Sequence, residues 1–171
     1  MAITEKATET INDLIEINND RVEGFEKAAA DLGGQDSGLI ALFHQLAAES
    51  RGYAAELTRL VQDSGYMPVE GTSTAGALHR AWIDIKTTFT GSEREAILDE
   101  CERGEDAIKS AYQSAIGPEN ELSAELVQVL QRQQQGIVAG HDLIRSLRDQ
   151  GKNEDGAPGF LIINGTVDPA A

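Results

Sequence analysis

Apolar residues recur at spacings of three and four through most of this chain, the pattern of amphipathic helices. Over residues 4–32 the stripe is Ile11, Leu14, Ile15, Val22, Phe25, Ala29 and Leu32, and Gly33-Gly34 stops it. Over 37–64 it is Leu39, Phe43, Leu46, Tyr53, Leu57, Leu60 and Val61. Asp36 or Ser37 suits the N-cap of that helix, and Gly65 its end. A loop with Pro68 and Gly71 leads into a shorter predicted helix over 74–89, with Leu78, Trp82, Ile85 and Phe89 on one side. Gly91 breaks it, and Ser92-Glu93-Arg94-Glu95 reads as a capping box. The helix it opens carries Ile97, Cys101, Ile108, Ala111, Tyr112 and Ala115 and stops at Gly117-Pro118. The last runs over 119–150, with Leu122, Leu126, Val129, Ile137, Ile144 and Leu147.

The fold class is therefore all-α, with four helices of roughly 25–30 residues, each about 40 Å long. Short turns join the first to the second and the third to the fourth, which makes antiparallel neighbours. The connection between the second and third carries its own helix of about 16 residues, long enough at ~24 Å to return along the bundle. That is the one-crossover, ferritin-like connectivity; an up-down bundle with an extra cap helix is the rival. Residues 1–150 form the bundle. The tail, 151–171, differs in kind: KNEDGAPG reads as a polar linker, and FLIINGTV as a short apolar strand and turn.

Several polar residues interrupt the apolar stripes. Asn18 is central on the first helix, Ser50 on the second with Tyr53 one turn on, Gly104 and Glu105 on the third, and Gln133 on the fourth. Residues of the first two helices whose numbers sum to about 69 lie level across their turn. Asn18 and Gln133 sit at matching depths in two parallel helices, as do Ser50 and Glu105. Four helices thus place a polar residue in one layer at mid-bundle. Such a layer costs stability unless its members satisfy one another or hold a ligand. The plain reading is a hydrogen-bonded layer that fixes register. The sharper one is a metal site built on Glu105, with Glu49 and Tyr53 beside it. Glu26 and His141 stand at similar height on the first and fourth helices and form a secondary pair, an ion pair or a two-ligand metal site.

Charge bears on both readings. The chain has 14 Lys+Arg against 29 Asp+Glu, a net −15. That excludes a generic nucleic-acid binder and disfavours an anionic membrane surface, while leaving metal cations and basic partners open. Glu16, Asp20, Glu23 and Glu102 are expected on outer faces or flanks, so the acidic excess reads chiefly as a solvated exterior. Cys101 is the only cysteine and reads as inert core. The start MAITEKATET has no signal-type apolar run, and a cytoplasmic location is expected. His79, Arg80 and Trp82 read as packing or bridging residues of the crossover helix. Gly104 and Gly140 read as points of close helix approach.

The runs GALHRAWIDIKTTFTG at 76–91, AILDECERGEDAIKSAY at 96–112 and HDLIRSLRD at 141–149, with NDLIEINNDRVEGFEKAA at 12–29, resemble the bacterial ferritin-like four-helix-bundle family described as a domain of unknown function. The resemblance covers about residues 5–150 and implies a fold and a bacterial source, with no established activity. Against the wider ferritin superfamily, ESRGYAAEL at 49–57 is similar to the stretch that carries a Glu-x-x-His ligand pair. Ser50 then stands in place of the Glu and Tyr53 in place of the His. Glu105 matches the helix-three carboxylate, Gln133 the helix-four position, and Asn18 stands near the helix-one carboxylate. No Glu-x-x-His occurs in the chain. One inward carboxylate among Asn, Ser, Tyr and Gln cannot balance two irons.

Two functions follow as expectations. One is a non-catalytic, self-associating bundle, a homo-oligomer, with a polar layer in place of a di-iron site. The other is an oxidoreductase or storage-like protein binding iron or manganese at a reduced site. The tail over 151–171 reads as a disordered end or a strand packed on its own bundle, or else as a segment that docks on a protein partner or is exchanged within a homodimer.

Overall fold

The computed structural model describes residues 3–70 and 94–156, the last few of these by backbone alone. Four long helices make up nearly all of that, and no strand occurs among the described residues. They are α1 (Glu5–Asp31), α2 (Ser37–Asp63), α3 (Arg94–Ala115) and α4 (Ala124–Gly156). A single 3-10 turn, Pro118–Asn120, sits between the last two. The helix expected over 74–89, with His79, Arg80 and Trp82, lies outside the described residues, as does the apolar part of the tail. The fourth helix continues through Gly151 to Gly156, past the end expected at 150. Lys152 and Glu154 are good helix formers, and one internal glycine costs only about 1 kcal/mol.

The ends follow local chemistry. Thr4 caps α1, its Oγ1 accepting from the Ala7 amide at 3.1 Å. Gly33 and Gly34 have φ of +57° and +84°, a left-handed turn that side chains resist. Asp36 caps α2, its Oδ1 accepting from the Leu39 amide at 2.9 Å. The other oxygen of Asp36 accepts from Arg94 Nε at 3.0 Å, which ties the start of α3 to the α1–α2 turn.

α1 packs against α2 and α3, and α3 against α4. α2 meets α4 through side chains: Arg132 and Gln133 both donate to the Glu56 carboxylate. Every neighbouring pair is antiparallel, so α1 and α4 run parallel at opposite corners, as do α2 and α3.

The apolar core falls into two halves. One gathers Ile11, Leu14, Leu57, Val61, Ile108, Leu130 and their neighbours. The other gathers Phe25, Phe43, Leu46, Ile97, Cys101 and Ile144, with the Phe25 and Phe43 rings 5.5 Å apart. Burial pushes the Cys101 thiol well above its ordinary range, which keeps it an unreactive core residue. Acids are not confined to the exterior. Asp20, Glu100 and Glu102, as well as Glu105, are buried. For Asp20 and Glu102 this corrects the outer-face expectation. With four helices in contact, the flank of a stripe is covered as well as its centre.

The Leu39 amide and the Arg94 guanidinium hold the Asp36 carboxyl below its ordinary range. Asp36→Ala should cost about 1 kcal/mol, the worth of a typical N-cap. The lowered folded value fixes the sign of the pH effect: the contribution is full above the unfolded value of ~3.9 and fades as pH falls through the folded one. Urea denaturation at pH 7 and at pH 2.5 checks this. A gap between variant and parent that does not shrink in acid contradicts it.

Candidate functional site

The layer that separates the two apolar halves centres on a residue absent from the expected set. Arg21, on α1, is completely buried. It lies three residues after Asn18 and four before Phe25, on the inward face of the helix, and its guanidinium stacks 5.2 Å from the Phe25 ring centroid. Glu105 of α3 takes it in a forked grip: Nε donates to Oε1 at 2.6 Å and Nη2 to Oε2 at 2.9 Å. The remaining arm, Nη1, donates to Glu49 Oε1 at 3.1 Å and to Ser50 Oγ at 3.0 Å, both on α2. One cation thereby joins three helices.

α4 makes room for it. A methyl group at Gly140 would lie 2.7 Å from Arg21 Nη2, 3.1 Å from Glu105 Oε2 and 3.1 Å from Leu46 Cδ2. Gly136, one turn earlier, gives space to the Tyr53 hydroxyl, which hydrogen-bonds Glu49.

Burial opposes the Arg21 charge, but Glu105 and Glu49 more than offset that, so its pKa is raised. Burial pushes the Glu105 carboxyl above the ordinary glutamate range, and Arg21 offsets this only in part. An arginine stays protonated in proteins, and the forked contact uses both carboxylate oxygens, so we assign an ion pair. Glu49 has a third of its side chain exposed, so water serves its remaining lone pairs.

The other expected residues form a second level, three positions back along α1. Asn18 Nδ2 donates to the Leu14 carbonyl and to the Tyr112 hydroxyl, each at 2.8 Å. The Tyr112 hydroxyl donates to Gln133 Oε1 at 2.7 Å, and Gln133 Nε2 donates to Glu56 at 2.7 Å. Tyr112, read from sequence as apolar stripe, is thus the hub of this level. Asn18 Oδ1 has no hydrogen-bond partner among the described residues.

All five expected layer residues therefore lie at mid-bundle, in two adjacent levels. Ser50, Glu105 and Glu49 meet at Arg21. Asn18 and Gln133 meet at Tyr112. Tyr53 touches the first level through Glu49.

The secondary pair of Glu26 and His141 does not form. Glu26 instead takes Arg51 Nη2 at 2.8 Å and His44 Nδ1 at 3.0 Å, both on α2. The Arg51 hydrogen bond holds its carboxyl below the ordinary range. His141 sits against Asp106 and Asp142. Equal height is not contact when two parallel helices stand at opposite corners.

The family described as Domain of unknown function (DUF2383) matches residues 6–118. That span holds Asn18, Arg21, Glu49, Ser50, Tyr53, Glu105 and Tyr112, and leaves out α4. No curated protein matches the chain.

Gly140→Ala should lower stability by about 1–2 kcal/mol, because crowding a pinned guanidinium outweighs the helix gain of about 1 kcal/mol from alanine. Gly136→Ala crowds only the half-buried Tyr53, which can swing outward, and should be near neutral. Equilibrium unfolding of the two variants side by side checks the contrast. Equal effects, or a stabilised Gly140→Ala, contradict it.

Proposed function

We infer a role for this chain, which belongs to the DUF2383 family, whose description carries no activity, from the chemistry of its own residues. We propose a non-catalytic bundle of ferritin-like connectivity, in which an ion-pair layer stands where its ferritin-like counterparts hold two irons. The observation that carries this reading is the forked contact of Arg21 with Glu105. A metal at that level would need the carboxylate oxygens the guanidinium already occupies. It would also bring two or more positive charges beside a fixed one, in a low-dielectric interior.

The donor set points the same way. Ser50 and Tyr53 are neutral oxygens at the positions that correspond to the Glu-x-x-His pair. The only imidazole buried among the described residues, His141, is directed to Asp106 and Asp142. Ferrous iron and manganese bind best where carboxylates and imidazoles converge unopposed. These residues do not fit a di-iron centre. The layer instead pairs its members with one another, Asn18 Oδ1 excepted, and fixes helix register, and a bundle of this kind serves as a scaffold.

Metal content of protein purified without chelators tests this, followed by ferrous titration with oxygen uptake. The expected result is no iron or manganese held through Glu105 and no oxygen consumption above buffer. Stoichiometric metal that survives His141→Ala but is lost with Glu105→Gln would overturn the reading.

A further inference from the structure

A second group of metal-ligating side chains lies outside the central layer, on the edge between α3 and α4. Glu102 and Asp106 are four residues apart on α3, one helical turn, and so share a face. His141 of α4 stands opposite. One ligand atom from each of the three lies within 4.8 Å of the other two. Glu102 and His141 are buried, and Asp106 is exposed.

The imidazole is held in a way that leaves a question of protons. Its Nδ1 is 2.9 Å from Asp142 Oδ1, so an Nδ1–H donates to that carboxylate. Its Nε2 is 2.9 Å from Asp106 Oδ1 and 3.2 Å from Lys109 Nζ. The contact with Asp106 needs a proton on Nε2, while the contact with Lys109 needs a lone pair there. Both cannot be hydrogen bonds at once. Glu102 gives Oε2 to Arg148, while its Oε1 has Arg145 Nε at 3.9 Å, beyond hydrogen-bond reach. Lone pairs of a nitrogen and two carboxylates thus converge, and the Lys109 ammonium, 3.2 Å from Nε2 and 3.6 Å from Asp106 Oδ1, is the cation that stands against two of them.

A divalent cation would serve all three. We propose that Glu102, Asp106 and His141 form a surface site for a divalent metal of the zinc class, with His141 Nε2 and one oxygen from each carboxylate as ligands. The Asp142 contact on Nδ1 is the carboxylate support that metal-bound histidines use to fix ring orientation. Two carboxylates and a neutral imidazole balance the charge of the ion. Mixed nitrogen and oxygen ligands favour zinc over the hard cations magnesium and calcium. A cleft of about 320 Å³, lined by Asp99, Glu102, Arg103, Asp106 and Arg148, opens onto the same carboxylates. It gives the ion an entry path and leaves a coordination position to solvent. Lys109 lies with a third of its side chain exposed and can swing away.

The site shares no residue with the Arg21 cluster, so either proposal can fail alone. Isothermal titration of the full chain with zinc chloride, after chelator treatment and in a non-coordinating buffer, tests it. One saturable equivalent is expected, weakened at least about tenfold in both His141→Ala and Asp106→Asn, and unchanged in Glu26→Gln, whose partners are Arg51 and His44. Asp106→Asn keeps the shape of an exposed side chain, so it decides the matter should His141→Ala fail to fold. No saturable equivalent, or zinc affinity that Asp106→Asn leaves unchanged, would overturn the proposal.

Discussion

The forked contact of Arg21 with Glu105 is the interaction on which the middle of this bundle depends. Either residue alone, at full burial, would carry a severe desolvation cost. Together they neutralise one another, and the remaining guanidinium arm reaches Glu49 and Ser50. Three helices are thereby committed to one axial register. The fourth is committed by the absence of a side chain at Gly140, which lets it close over the pair. The two apolar halves on either side supply most of the burial energy, but hydrophobic contact is non-directional and would tolerate a shift by a turn. The ion pair would not.

The second level extends the same logic without charge. Asn18, Tyr112 and Gln133 form a chain of hydrogen bonds from α1 through α3 to α4, and Glu56 closes it onto α2. Burial raises the Tyr112 hydroxyl far above its ordinary range, so it remains a donor at any pH the fold survives. The two levels together leave the bundle with a polar waist. At this height polar side chains of all four helices are joined to one another.

Much of this was legible in the sequence. The three- and four-residue spacing of Leu, Ile and Phe located the four described helices. Asp36, Gly33-Gly34 and Gly65 marked ends of the first two. The rule that level residues of α1 and α2 sum to about 69 came close, since Arg21 meets Glu49 and Ser50 across that turn. Arg21 itself was missed although positions 14, 18, 21 and 25 share one face. A long cation usually snorkels from the edge of a stripe, and only the carboxylates of other helices show that this one stays inside. Tyr112 was hidden for the converse reason, its ring reading as core while its hydroxyl does the linking. Glu26 and His141 failed as a pair because depth along a helix fixes height but not which corners of the bundle touch. The burial of Asp20 and Glu102 was not legible either, since it depends on how far neighbouring helices wrap the flank of a stripe.

The central claim is that Arg21 and Glu105 act as one buried unit. A double-mutant cycle on folding stability with Arg21→Met and Glu105→Gln measures this directly. Each single substitution should cost about 3–5 kcal/mol, because it strands a buried charge. The double substitution should cost less than the sum by about 2 kcal/mol or more, because it strands none. Single effects that simply add, with a coupling below about 0.5 kcal/mol, would contradict the account.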